Sequence, residues 1–552
     1  MADLLSSVAE LAEERRAATD DDHKARWGQY FTPPAVAAFM AGWLTAARPE
    51  DELVVLDPGA GTGLLGIAAA RALLVAGAAA VHVVAVEADP LVVPLLERAL
   101  AAARSELGER FRATVRAEDF LALERPRLGV APLPDVDVVI ANPPYFKMSP
   151  TDPHGGTAPN AYARFMAISS AVLRPGGQLV FIVPRSFASG FYYQRFRREL
   201  HDELALERAH VFGSRRDAFR SDDVLQENIV VGYRRAPPAP TVQVSSSMGV
   251  GDLAAPRVLH VPRDQVLRPK DTHGVLHLPT TAEDIEVMQT VYGWGGSLRA
   301  LGLEISTGPV VPFRSAEDLV HQASADTVPM LWMQHVRHGA VRWPVEGLRK
   351  PQHVRRSAGD KLLVPNRTYV LLRRFSAKED PRRLTVAVLR AGDLPGDRLG
   401  LENHLNFIHR PGGELDEELA IGLATLLGST LLDTFFRLQS GNTQVSATEL
   451  RALPLPAEEV LRALGRAVVA SGGEQLTDQV GLDARVRSVE ALARSASPGL
   501  PRGDGGAAFP CPDLDPAQSL WVKSLPRSSN MEEDSPHLRT TWSRWSGTPA
   551  SA

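Results

Sequence analysis

The stretch VVIANPPYFK, residues 138–147, brings three chemical groups to the end of one apolar run. Asn142 carries a side-chain amide, Pro143 a carbonyl without an N–H of its own, and Tyr145 a flat ring. An amino group on an aromatic ring is a poor nucleophile, because its lone pair is delocalised. Two acceptors on its hydrogens, the Asn142 side-chain oxygen and the Pro143 carbonyl, favour a pyramidal nitrogen with a localised pair. Tyr145 can stack on the ring that bears it. Pro-Pro-Tyr alone is also how a plain proline turn reads, so the upstream residues decide.

VLDPGAGTGLLGIAAA (55–70) sets Gly59, Gly61 and Gly63 between an apolar run and a helix-forming one. Such a turn lets a ligand approach the backbone and a helix N-terminus. It lacks the Gly-Lys-Ser/Thr ending of a nucleotide phosphate loop. VVAVEADP (83–90) then ends on Glu87, an acid placed to accept both hydrogen bonds of a ribose diol. RAEDFLAL follows, with Asp119 to accept from an adenine amino group and Phe120 to cover its ring. Each could be structural alone. In this order, on successive strand ends, they describe an adenosine-shaped crevice.

The elements that must position these groups alternate. Strands are expected at 54–57, 81–87, 136–141, 178–183 and 228–233, and helices at 64–77, 90–104, 161–173 and 191–203. That rhythm predicts an α/β fold with a mainly parallel, Rossmann-like sheet covered on both faces. RAPPAPTV (235–242) reads as a domain boundary. Beyond it a mixed α+β domain is expected over 241–456, then a helical segment over 457–494 and a disordered tail over 495–552. Residues 1–27 read as a charged helix and linker.

The 552 residues carry 44% hydrophobic and 23% charged residues, and the N-terminus has no apolar export signal. One cysteine, Cys511, excludes an internal disulfide and a Cys-rich zinc site. A cytoplasmic protein without a membrane span or metal site is the expectation. The net charge of −5 hides a basic stretch: over 332–390 there are 14 Lys and Arg against 4 Asp and Glu, a net +10. Trp332, Trp343, Tyr369 and Phe375 are interleaved there, as a phosphate-binding face requires.

Asn-Pro-Pro-Tyr downstream of Asp-Pro-Gly-Ala-Gly-Thr-Gly resembles the S-adenosylmethionine-dependent amino-methyltransferases. GQYFTPPAVAAFMAGWL (28–44) is similar to the Phe-Thr-Pro segment of gamma-class adenine-N6 DNA methyltransferases. The segments 161–187 and 217–235 resemble later parts of that class. Those at 305–314, 373–384 and 440–456 look like the recognition half of type II restriction-modification methylases.

The resemblance implies that residues 28–236 are catalytic and 241–456 read a double-stranded DNA sequence. It places Thr32, Asp57, Gly59, Ala60 and Gly61 along the methionine part of S-adenosylmethionine. Glu87 takes the ribose, and Asp119, Phe120 and Phe165 the adenine. Asn142 and Pro143 would activate the amino group of an adenine flipped out of the duplex, between Tyr145 and Phe219. Phe212 is a nearby competitor to Phe219. Arg373, Arg374, Lys378, Arg382 and Arg383 would hold DNA.

A carbon-5 cytosine mechanism needs a thiolate, and Cys511 sits in the low-complexity tail. No segment reads as a fused nuclease. The expected partner is therefore a separate cognate endonuclease, with the methylase acting as a monomer. Rival readings are an RNA or protein-glutamine methyltransferase, and a silent DNA-binding subunit that keeps the fold.

Overall fold

The computed structural model describes residues 3–17, 32–48, 50–124, 133–146, 148, 160–213, 228–269, 273–376, 380–439, 444–472 and 486–488. Phe219, Lys378, Cys511 and the 495–552 tail lie outside the described residues.

The first half begins with α1 (Asp3–Ala17) and α2 (Pro34–Ala41). Its strands are β1 (Glu52–Pro58), β2 (Ala80–Val86), β3 (Phe111–Arg116), β4 (Val136–Ala141), β5 (Leu173–Pro184), β6 (Ala205–Phe212), β7 (Asn228–Arg234), β8 (Thr241–Ser247) and β9 (Arg257–Pro262). The intervening helices are α3 (Leu64–Val75), α4 (Val93–Leu107), α5 (Ala161–Ala171) and α6 (Gln194–Glu203). All nine strands form one sheet in the order β3-β2-β1-β4-β5-β7-β6-β8-β9. β1 to β5 run parallel, and β7 runs antiparallel between β5 and β6.

Both faces are covered, which is why the strands read as unbroken apolar runs. Val55, Val83, Ile140, Ile182 and Val230 point into the layer holding α2, α3 and α4. Their neighbours Leu56, Val84, Ala141, Val183 and Ile229 point into the layer holding α5 and α6. The expected charged helix at the N-terminus is no loose linker. Leu4, Val8 and Ala12, one turn apart, are buried, and Leu4 and Val8 join the first layer.

The expected boundary at 236/241 is corrected by the sheet. Its proline cluster is only a loop, because Thr241 immediately starts β8, which pairs in parallel with β6 and antiparallel with β9. Proline cannot donate to a ladder, but it can precede a strand. The nine-stranded sheet therefore runs to Pro262.

The second half is α+β, as expected. It opens on α7 (Ala282–Tyr292), capped by Thr281 and Asp284 in reciprocal hydrogen bonds. Its strands are β10 (Glu304–Thr307), β11 (Leu319–Val320), β12 (Thr327–Leu331), β13 (Val336–Arg337), β14 (Ala340–Val341), β15 (His353–Arg355), β16 (Leu363–Pro365), β17 (Tyr369–Arg373), β18 (Val386–Leu389), β19 (Arg398–Leu401) and β20 (Leu405–His409). They make a four-stranded sheet, β10-β20-β17-β18, a five-stranded one, β11-β15-β12-β19-β16, and the β13–β14 hairpin.

Three longer helices close this half: α8 (Glu417–Leu427), α9 (Thr430–Gln439) and α10 (Glu458–Ala470). The expected separate segment from 457 is a second correction. A Cβ added to Gly422 would lie 1.9 Å from the Leu461 carbonyl oxygen, and one on Gly465 2.0 Å from that of Glu418. The α8 and α10 backbones thus touch, and Leu419, Leu423, Leu461 and Leu464 share one core with α7 and β17. Among the described residues no single helix is long and apolar enough to cross a membrane.

Candidate active site

The glycine turn is built at the end of β1. Gly59 and Gly61 take φ values of +69° and +55°, which other residues rarely adopt. The Gly59 and Ala60 N–H groups both donate to the Val86 carbonyl, at 2.8 and 2.9 Å. The Gly61 N–H donates to Glu87 Oε2 at 2.8 Å, and Asp89 N–H to Glu87 Oε1 at 2.8 Å. Glu87 therefore braces the turn as well as facing the crevice. Burial pushes its carboxyl above the usual range, against the pull of these N–H groups.

Asp57 sits deeper. One carboxyl oxygen, Oδ2, accepts from Gly66 N–H at 2.8 Å at the start of α3. The other, Oδ1, is buried and has no partner. Burial pushes this carboxyl up to about 8, the Gly66 bond opposing and the Glu87 charge adding. A buried acid with one idle oxygen fits a cationic group arriving from outside.

Phe120 and Phe165 form one wall, with ring centroids 4.8 Å apart at 45°. A Cβ on Gly59 would come 3.3 Å from the Phe165 ring, so glycine keeps the floor of that wall open. Asp119 is exposed, and its Oδ1 accepts from Leu121 N–H at 3.0 Å. Phe165 is held by α5, whose cap Asn160 accepts from Ala163 N–H and donates to the Tyr193 hydroxyl at 2.6 Å. Asp57, Glu87, Asp119 and the two phenylalanines fit an adenosyl group with a cationic tail.

The tetrad stands beside this crevice. Val55 pairs with Val138 and Leu56 with Val139, so β1 and β4 lie side by side and the glycine turn and Asn142 follow their neighbouring carboxyl ends. Asn142 Nδ2 donates to Thr32 Oγ1 at 3.2 Å. The Tyr145 hydroxyl donates to Asn142 Oδ1 at 2.7 Å and reaches the Ile182 carbonyl at 3.4 Å. Tyr145 also meets Tyr162 edge-on, at 6.2 Å between centroids. Thr32, Asn142 and Tyr145 are thus joined by hydrogen bonds, with Pro143 next in the chain to Asn142. Phe212, the competitor to Phe219, is buried edge-on against His210 and belongs to the core.

The basic residues divide. Arg373 Nε donates to the Val336 carbonyl at 2.8 Å, Arg374 Nη1 to that of Asn403 at 3.1 Å, and Arg382 Nη1 to that of Gly428 at 3.1 Å. All three keep partial exposure. Arg383 is corrected: it is 1% exposed, its Nε donates to Ser376, and its guanidinium lies 5.9 Å from the Phe436 ring. It stabilises the helical core instead of presenting charge. The exposed cations of this stretch include Arg337, which ends β13, and Arg342, which follows β14.

Sequence reasoning also missed Asn228. It is 3% exposed and neither amide atom has a partner. A polar residue opening an otherwise apolar strand, NIVVGY, was the available signal.

The doubly wound sheet with its reversed β7, the glycine turn and the strand-end acids define the fold of the S-adenosylmethionine-dependent methyltransferases. The Eco57I restriction-modification methylase family matches residues 131–219. The Type II methyltransferase M.PstI of Providencia stuartii is 33% identical over 478 residues, 84% of this chain and 93% of that protein. M.BsuBI of Bacillus subtilis, also a Type II methyltransferase, is 32% identical over 466 residues, 81% of this chain and 91% of its own length. Among solved structures, the Type IIL restriction-modification enzyme MmeI in complex with DNA aligns over 90% of this chain and 74% of that one, at a TM-score of 0.47 and 11% identity. The chain belongs to the type II methyltransferases of restriction-modification systems.

Proposed function

We propose that the protein methylates the N6 amino group of adenine in a double-stranded DNA sequence, using S-adenosylmethionine, and so shields that sequence from a separate cognate endonuclease. The observation that carries this reading is the Asn142 amide, held by Thr32 on one side and Tyr145 on the other, at the end of the strand that pairs with the one leading into the glycine turn.

When bound, S-adenosylmethionine supplies a methyl group on a sulfonium centre. Thr32, Asp57 and the 59–61 backbone hold its methionine part, Glu87 its ribose, and Asp119, Phe120 and Phe165 its adenine. Asn142 Oδ1 and the Pro143 carbonyl accept the two amino hydrogens of the target and turn its nitrogen lone pair toward the methyl. Tyr145 covers one face of the extruded base, and Phe219 the other. Arg373, Arg374, Lys378 and Arg382 hold phosphates, a role that fixes register without reading bases. The enzyme acts in the cytoplasm as a monomer.

The test is expression in a host free of DNA methylation, followed by sequencing of modified bases. N6-methyladenine at one recurring sequence is expected. Parallel assays on RNA and on protein glutamine should give no transfer. Unmodified genomic DNA overturns the reading.

A further inference from the structure

Asn228 opens β7 opposite Pro184, at the carboxyl end of β5. Two residues on, Val230 points into the layer that holds α2, while Ile229 points to the opposite side. Alternation therefore sends the Asn228 side chain to the α2 side. Ile140 lies on that same side, and Asn142, two residues after it, bonds Thr32 just ahead of α2. The two asparagines thus rise from one face of one sheet end. β4 and β7 flank β5, so they stand two strand spacings apart, roughly 10 Å. That gap is wide enough for a base between two amide side chains.

Burial makes Asn228 unusual. With 3% exposure and both Oδ1 and Nδ2 unpartnered, its amide has lost water and gained nothing in the free protein. Buried polar groups are nearly always satisfied, and an idle pair at a strand end beside a reactive site points to a ligand that completes it. In the same layer both ring nitrogens of His210 bond the Ser245 and Ser247 hydroxyls, whereas Asp57 Oδ1 and the Asn228 amide, both at strand ends beside the site, are left idle.

We propose that Asn228 is a base-positioning residue, whose Nδ2 donates a hydrogen bond to a ring nitrogen of the base extruded into the pocket headed by Asn142. This rests on the adenine reading above. Asn142 and Pro143 take the amino hydrogens, so a ring nitrogen beside the amino group, N1 or N7, is the acceptor left for a further donor.

The experiment uses the full chain and the duplex whose methylated site the genomic sequencing identifies. Adenine, 1-deazaadenine or 7-deazaadenine stands at the target position, for wild type and for Asn228→Ala. On adenine, kcat/KM of the variant falls about tenfold to a hundredfold, with S-adenosylmethionine affinity unchanged. Wild type is penalised by one of the two deaza analogues, and the variant loses that penalty. Because the amide makes no bond in the free protein, Asn228→Ala melts no lower than wild type. The proposal is overturned by a variant as fast as wild type, by deaza penalties that persist unchanged in the variant, or by a lowered melting temperature with equal losses on every substrate. If wild type itself marks no adenine, the parent reading fails instead, and the two failures are distinct.

Discussion

The Tyr145 hydroxyl and the Asn142 amide oxygen lie 2.7 Å apart, and Thr32 takes the other end of the same amide at 3.2 Å. Tyrosine is the donor here, so the network sets which way the asparagine faces. An amide oxygen can accept two bonds, and a substrate amino group can share it with the tyrosine. Tyr145→Phe keeps the ring but removes one of the bonds that orient the amide. Single-turnover transfer should slow about tenfold, with cofactor affinity intact. Asn142→Ala should abolish transfer while cofactor affinity stays within about several-fold. Isothermal titration separates the two effects, and loss of cofactor binding in either variant would place the site elsewhere.

Asp57 gives a pH signature. Its carboxyl is pushed up to about 8 in the folded chain, well above the range of an unfolded aspartate. The folded state therefore holds more protons between about pH 4 and pH 8, and stability falls as pH rises through that window, by up to about 1.4 kcal/mol per unit. Asp57→Asn keeps an acceptor for Gly66 N–H and removes the titration. Thermal melts from pH 5 to 9 should be flatter for the variant, and its cofactor affinity should drop at least about tenfold. Parallel melting curves would refute the assignment.

Surface and buried arginines should separate in DNA titrations. Arg337→Glu with Arg342→Glu removes two exposed charges beside the β13–β14 hairpin. Binding should weaken on all sequences alike, and the slope of log K against log salt should shrink by about 2. Arg383→Ala should leave that slope unchanged and lower the melting temperature, since its guanidinium is buried against Ser376. An unaltered slope in the double variant would remove the hairpin from the DNA face.

The α8–α10 contact predicts a steep packing penalty. Gly465→Ala would set a methyl 2.0 Å from the Glu418 carbonyl oxygen, far inside van der Waals contact. Backbone cannot swing aside as a side chain does, so the cost should be about 3 kcal/mol or more. Gly422→Ala should behave alike, whereas Gly472→Ala, with nothing within 4 Å but a φ of +90°, should cost only its backbone strain of about 1 kcal/mol. Equal melting temperatures across the three would contradict the close helix contact.

The catalytic half was legible because chemistry and periodicity coincide there. Strands β1, β2 and β4 each end on residues that cannot be explained as core, namely Asp57, Glu87 and Asn142 with its prolines. The alternation of helix and strand pointed to a mainly parallel sheet but not to its strand order, and β6, β8 and β9 were not among the expected strands. What escaped were features decided by distant contacts. The proline cluster at 235–242 signals a break in local structure, but only pairing with β6 reveals that the sheet continues. Gly422 and Gly465 carry no signal of their own, and their role depends on the Leu461 and Glu418 carbonyls that face them. Arg383 reads as surface charge from composition, and its burial depends on Ser376 and Phe436, seven and fifty-three positions away. Asn228 is a single polar letter, and only the empty bonding shell around it gives it meaning.

The continuous nine-stranded sheet bears on how such enzymes could exchange specificity. A chimaera joined at the proline-rich stretch would pair the β6 edge of one parent with β8 and β9 of the other, so that Val211 and Ala209 face foreign residues in place of Ser246 and Val244. Grafts that exchange the second half are therefore best cut after Pro262, so that the donor segment arrives without disturbing the recipient's ladder. Recombination between relatives is constrained in the same way: the inheritable unit of chemistry ends at a hydrogen-bonded edge about twenty-six residues beyond where its prolines suggest.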